Sequence, residues 1–243
     1  MTNDAAILRD LHRPGDPLLL PNVWDAASAQ AVQEVGFPAL ATASAAVSAM
    51  LGYPDHEGAP VEEMFAAAGR VIRAATVPVT VDAEAGYGLE PGELVDRLLA
   101  IGAAGCNLED TYAGKLAEPE TQAAYLAAVR AAAGDALVIN ARVDTFVAKA
   151  PDPIDAAILR GRQYFEAGAD CVYPIAAPLD AVPALVKGLP GPINANNMPG
   201  SSLADLVAAG VARVSYGPMP YLRALDALKQ FAARVKAGET PHA

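Results

Sequence analysis

The sequence predicts an α/β fold, a (β/α)8 TIM barrel formed as a single domain over residues 1–243, and three observations lead there. Apolar runs of strand length recur along the chain, each followed by a segment of helical periodicity. Short loops join them, with no second domain, heptad run or low-complexity linker between. Several runs end in acids or asparagines, and parallel barrels keep their chemistry at the carboxyl ends of the strands. The length of 243 residues also suits one such barrel, which typically takes about 250.

The elements follow in order. Residues 3–13 read as a short amphipathic helix covering one end of the barrel, and 18–20 as the first strand. Asp25 caps a helix over 26–36, and 38–41 is the second strand, followed by a loop of small residues. Helix 61–75, strand 77–81, helix 91–103 and strand 105–108 come next, with Pro91 at a favourable helix start. A helix near 120–133, strand 136–141, helix 153–168, strand 170–174 and helix 181–187 continue the alternation. Strand 192–197, a helix capped by Ser201 or Ser202, strand 212–216 and helix 219–237 complete it.

Composition narrows the function. A net charge of −11 argues against nucleic acid, because phosphate contacts need a basic face. It also requires local positive groups wherever an anionic substrate binds. Cys106 and Cys171 stand near strand starts and read as small buried core residues. The N-terminus is charged and lacks the apolar core of a secretory signal. Residues 35–54 carry no charge, but their Ala, Ser, Thr, Pro38, Gly52 and Pro54 suit a strand and loop better than a membrane span. The expectation is a soluble cytoplasmic protein with no membrane partner.

The chemistry centres on Val79–Gly88. Its strand ends in Asp82 and Glu84, and side-chain alternation points both acids the same way. Such a pair repels unless a cation or proton lies between. Oxygen ligands without sulfur or imidazole suit Mg²⁺ or Mn²⁺, and the plain alternative is two solvated acids starting a turn. Gly86 and Gly88 let backbone approach a ligand. The next strand brings Glu109, giving a metal-ligand set of Asp82, Glu84 and Glu109. The strand after it brings Arg142, which either clamps a substrate carboxylate with its two-pronged fork or pairs with Glu109 or Asp144.

Other candidates surround these. Thr42, Ala43 and Ser44 are small enough for their amides to cradle a carboxylate or oxyanion. Trp24 either lines the pocket or simply packs, and Asn194 and Asn196 alternate onto one side where they can bind a second carboxylate. His56 reads as an ordinary loop histidine.

The segments PNVWDAASA, LGYPD, VDAEAGYG, NLED and INARVDTF, in this order and spacing, resemble the isocitrate lyase / phosphoenolpyruvate mutase superfamily. VYPIA, INANN and RVSYGP resemble it less specifically, and the match covers nearly the whole chain. The resemblance implies a barrel, Mg²⁺, and 2-oxo acid or enolate chemistry. It implies that Asp55 joins the metal's outer shell or orients a water, and that Tyr216 meets substrate. It makes residues 111–120 a mobile lid, where Lys115 either neutralises an anionic substrate or is merely solvated. It also implies a homodimer or homotetramer whose subunits exchange the last helix.

Four departures stand out. The lid lacks the Cys and His of the lyase members, Ile175 falls where lyases and mutases tend to have Glu or His, Asp-x-Glu replaces Asp-x-Asp, and no Ser-Gly pair occurs near residue 44. The expected function is an isocitrate lyase-like, Mg²⁺-dependent lyase or decarboxylase. It would cleave the C–C bond of a small 2-oxo or 2-hydroxy dicarboxylate through a metal-stabilised enolate. The alternatives are a phosphoenolpyruvate mutase or other P–C bond enzyme, and a barrel that binds 2-oxo acids without turnover.

Overall fold

A computed structural model describes residues 4–240. Helix α1 (Asp4–Asp10) leads into strands β1 (Leu18–Leu20) and β2 (Asn22–Val23), helix α2 (Ala26–Glu34) and strand β3 (Leu40–Thr42). Helices α3 (Ser44–Leu51) and α4 (Val61–Ala74), strand β4 (Val79–Asp82), helix α5 (Pro91–Ile101) and strand β5 (Gly105–Leu108) follow. A hairpin of β6 (Thr111–Tyr112) and β7 (Lys115–Leu116) precedes helix α6 (Pro119–Ala133), strand β8 (Val138–Val143) and helix α7 (Pro153–Glu166). Strand β9 (Cys171–Pro174), helix α8 (Val182–Gly188), strand β10 (Asn194–Asn196), helix α9 (Leu203–Ala208), strand β11 (Arg213–Ser215) and helix α10 (Met219–Lys236) end the chain.

Every pairing outside the hairpin is parallel. β2, β3, β4, β5, β8 and β9 are neighbours in that order, and β1 pairs with β11, which pairs with β10. Pro21 alone separates β1 from β2, and a parallel bridge between Val172 and Ile193 joins β9 to the β10 segment. The pairings thus return to their start, which is the predicted (β/α)8 arrangement. Pro21 explains the break in the first strand, since proline has no N–H for the ladder.

Leu8 of α1 packs with Leu18, Leu20, Ala39, Ala41, Ala104 and Val138, closing the end where the strands begin. Gly105 makes room for it: a Cβ there would lie 2.6 Å from the Val138 carbonyl and 3.1 Å from Leu8. A larger core lies between strands and helices, built around Leu94, Leu98, Leu108, Leu126, Ile139 and Tyr164.

Three expectations change. The small-residue segment after β3 is helix α3, because Ala and Met favour helix and Gly52, at φ 90°, takes the left-handed position that closes it. The segment expected as a lid loop contains a hairpin whose turn residues Ala113 and Gly114 both have positive φ, 48° and 76°, as a mirror-image two-residue turn requires. Ser202 occupies the N-cap position of α9 without a side-chain cap bond, while Ser201 donates to the Met198 carbonyl. Among the described residues, no helix is long and apolar enough to cross a membrane.

Candidate active site

The strands deliver their acids to one end of the barrel, where a cavity of about 330 Å³ opens. Its polar lining includes Asn22, Ser44, Asp55, Asp82, Asn107, Arg142 and Asn196. Val147, Ile175, Met198 and Met219 are among its apolar lining.

Asp82 ends β4 and faces this cavity. Its Oδ2 accepts both the Ser44 backbone N–H at 2.9 Å and the Ser44 hydroxyl at 2.8 Å, while its own N–H donates to Thr42 Oγ1 at 2.9 Å. Thr42 and Ser44 therefore position a carboxylate, and Oδ1 is left without a hydrogen bond among those described. Ala43 and Ser44 line the cavity, whereas the buried Thr42 lies behind it.

Glu84 behaves differently. β4 ends at Asp82, and Glu84 has a left-handed φ of 49°, so strand alternation no longer governs its direction. Its Oε2 accepts the Glu57 N–H at 2.5 Å, and its Oε1 accepts the Tyr87 hydroxyl at 2.7 Å. Glu57 returns the clasp by accepting the Tyr87 N–H at 2.6 Å. His56, Glu57 and Tyr87 also have positive φ, a concentration of strain that tends to occur at functional sites. Gly86 is required here, because a Cβ would run into the Tyr125 hydroxyl. Burial raises Glu84 to about 7, against the lowering effect of the Tyr87 hydrogen bond. The longer acid in Asp-x-Glu is accommodated by folding aside, out of the cavity lining.

Arg142 ends β8. Its Nε and Nη2 donate to the two oxygens of Asp144 at 2.7 and 2.9 Å, and its Nη1 pairs with Glu109. Three of the five N–H donors of a guanidinium are thereby engaged, leaving two for a ligand. Both pairings anticipated as its structural role are present, and it also lines the cavity. Burial pushes Glu109 above the usual carboxylate range, while Arg142 pulls it back.

The remaining candidates divide. Asp55 and Asn196 line the cavity, as does Tyr216. Asn194 is fully buried below, donating to Ser215 Oγ at 3.1 Å. Trp24 packs edge-on against Tyr221 of α10 with ring centroids 5.2 Å apart. Lys115 is exposed on the hairpin, outside the lining.

Sequence reasoning missed the Asp110 anchor. Asp110 accepts from Tyr164 at 2.7 Å, from Arg160 at 3.0 Å and from the Asp144 N–H at 2.9 Å. Arg160 also donates to the Ala117 carbonyl at 2.7 Å, tying the hairpin base to α7. No local signal marks this; a charged residue on a helix reads as surface until the packing is known.

Among the described residues, no three acids, histidines or cysteines converge as a metal cluster. The predicted triad of Asp82, Glu84 and Glu109 does not meet, since Glu84 is clasped by Tyr87 and Glu57 and Glu109 by Arg142. The donor set still suits Mg²⁺ in its usual protein form, one or two carboxylates plus waters. Asp82, with Oδ1 open and Asp55 on the same cavity, offers that.

A family model described as phosphoenolpyruvate phosphomutase matches residues 8–236. An uncharacterised Mycobacterium tuberculosis protein is 39% identical over 235 residues, covering 95% of this chain and 89% of its own length. Oxaloacetate decarboxylase 2 of Pseudomonas fluorescens is 32% identical over 222 residues, covering 85% and 75%. A crystal structure from Burkholderia cenocepacia J2315 has 42% identity and a TM-score of 0.89, covering 97% of this chain and all of that one. The fold is that of a barrel family whose members include lyases and mutases. The chain belongs to the phosphoenolpyruvate mutase / isocitrate lyase superfamily.

Proposed function

We propose that this protein is a Mg²⁺-dependent, isocitrate lyase-like lyase or decarboxylase that breaks a C–C bond of a small 2-oxo or 2-hydroxy dicarboxylate through an enolate. The observation that carries the reading is a single cavity lined by a carboxylate with a spare oxygen, Asp82, and a guanidinium with spare donors, Arg142. Asp82 would hold the ion directly, with Asp55 acting through water. A bound Mg²⁺ supplies Lewis acidity toward the keto and carboxylate oxygens of such a substrate. Arg142 orients a substrate oxygen with its two remaining N–H groups, and Asp144 and Glu109 keep the guanidinium from turning away. The Ser44 amide is spent on Asp82, so it holds that carboxylate rather than one of the substrate.

Among 2-oxo and 2-hydroxy diacids, the lining favours decarboxylation. Cleaving a 2-hydroxy acid needs a base for the hydroxyl proton, whereas loss of carbon dioxide from a 2-oxo diacid does not. Among the described residues the lining has no His, Lys or Cys, which leaves Asp55, here assigned to a water beside the metal, as the base a 2-hydroxy substrate would need. The test is formation of pyruvate from oxaloacetate by the Mg²⁺-loaded protein, with a 2-alkylmalate and phosphonopyruvate as parallel substrates. Turnover of oxaloacetate that EDTA abolishes is expected. Turnover of phosphonopyruvate alone would move the reading to P–C chemistry, and tight oxaloacetate binding without product would leave a binding barrel.

The same reading includes an oligomer. Helix α10 has no buried residue, and Leu222, Leu228, Phe231 and Val235 are exposed along it. Light scattering is expected to give a dimer or tetramer, and a particle of 24.9 kDa at micromolar concentration would remove that part of the proposal.

A further inference from the structure

Arg213 begins β11 and is fully buried inside the barrel. Among the described residues no carboxylate pairs with it, and its Nε and Nη1 have no hydrogen-bond partner. Its remaining bond runs from Nη2 to Asn107 Oδ1 at 3.1 Å. The same oxygen accepts Asn140 Nδ2 at 2.9 Å. Burying a charge is costly unless it is hydrogen-bonded, so this guanidinium holds firmly to the few acceptors within its reach.

That bond decides which way the Asn107 amide faces. A carboxamide has an acceptor end and a donor end, and ordinarily the two can exchange by a flip. A guanidinium is donor-only and always charged. It therefore demands the oxygen of Asn107 and excludes the flipped state. With Oδ1 taken by Arg213 and Asn140 from within the barrel, the Nδ2 amide group is forced to the other side. Asn107 lines the cavity and stands in register with Asp82 on one neighbouring strand and Asn140 on the other. Its Nδ2 has no protein acceptor among the described hydrogen bonds.

We infer that Asn107 is a substrate-contacting residue, its amide turned by the buried Arg213 to donate a hydrogen bond to an anionic oxygen of a 2-oxo acid in the cavity. Asn107 touches the ligand, and Arg213 is the positioning residue behind it. A neutral donor suits this place. It supports developing negative charge on the substrate without adding a cation that would compete with a metal beside Asp82. The inference rests on the reading of this cavity as the active site.

The test uses oxalate, an unreactive 2-oxo acid mimic, titrated by calorimetry into the Mg²⁺-loaded protein, together with a crystal structure of that complex. Asn107→Asp keeps the acceptor for Arg213 and Asn140 and removes the donor. It also supplies Arg213 with a countercharge, so the variant is expected to fold with a melting temperature equal to or above wild type. Its oxalate affinity is expected to fall at least tenfold. Because the new charge also repels an anion, the crystal structure arbitrates: Asn107 Nδ2 is expected within about 3.2 Å of an oxalate oxygen. Arg213→Met, which removes the donor that orients Asn107, is expected to weaken oxalate severalfold, with Arg213→Lys retaining more affinity than Met. Unchanged oxalate affinity in Asn107→Asp, or a complex in which Nδ2 meets no ligand atom, overturns the inference while leaving the active-site reading intact. No oxalate binding by the wild type overturns both.

Discussion

Two clusters of arginine and carboxylate lie at opposite ends of the strands and do different work. At the end where the strands begin, Asp170 pairs with Arg9 at 2.8 Å and with Arg130, and accepts the Ile139 N–H at 2.8 Å. Arg130 also donates to the carbonyls of Gly168, Gly134 and Leu137, and Arg9 to those of Asp135 and Leu137. These groups are spent on the chain's own backbone. At the other end, Arg142 is braced by Asp144 and Glu109 yet keeps donors free, and Asp82 is held by Ser44 through one oxygen only. Charge alone does not mark a functional site. What marks it is a charged group held in place with bonding capacity left over, facing a cavity.

Asp82→Asn should separate the two ends most sharply. Its expected cost is on the order of a thousandfold in turnover, several kcal/mol of transition-state stabilisation, with unfolding free energy changed by no more than about 1 kcal/mol. Steady-state kinetics beside urea unfolding would show it, and a variant that retains turnover would move the chemistry elsewhere.

Asp170→Asn should do the opposite. Two arginines lose their carboxylate, and breaking one side of this partly buried network should cost on the order of 3 kcal/mol. Activity per folded molecule should stay near wild type. A large loss of activity without loss of stability would contradict the division.

His12 offers a pH-dependent version of the same contrast. It is buried beside the lower cluster, with Nδ1 2.8 Å from the Leu8 carbonyl. Burial, reinforced by the Arg213 charge, lowers it from 6.5 to about 4. Between those values the unfolded ring takes a proton that the folded ring refuses, so stability is whole above pH 6.5 and is lost as pH falls toward 4. The loss should reach on the order of 3 kcal/mol. Urea unfolding of wild type and His12→Gln across this range measures it, and parallel curves for the two proteins would assign the slope to other groups.

Arg142→Lys should have the smallest effect. Lysine keeps the charge and loses the planar fork that grips Asp144. Substrate affinity or turnover should weaken about tenfold or more, equivalent to about 1.4 kcal/mol, with Mg²⁺ affinity roughly constant. Equal kinetics in the variant would confine Arg142 to bracing its neighbouring acids.

Much of the site was readable from residue order. Asp82 and Arg142 stand at or beside the last residue of a strand and Ser44 two residues past one, and strand ends of a parallel barrel share one face, so locating the strands put these residues on that face. Glu84 was misread for a local reason: alternation holds only while backbone stays extended, and φ turns left-handed at that residue. Asn194 was misread by depth, since two positions on one side of a strand can lie at different levels of the barrel, one under the cavity and one beside it. Helix α3 was missed because Ala, Ser and Met suit either a loop of small residues or a short helix until the contacts with α4 are known.

The sequence by itself determined the alternation of strands and helices, the chemical types collected at the strand ends and the superfamily, because periodicity, composition and residue order are local properties. Only the tertiary structure decided which carboxylate keeps an open oxygen, which arginine donors are spent, and that Arg213 lies inside the barrel against Asn107. Those outcomes depend on distances between residues as far apart in the chain as Asn107 and Arg213, and on burial. An arginine in a sequence looks the same whether water or a barrel surrounds it.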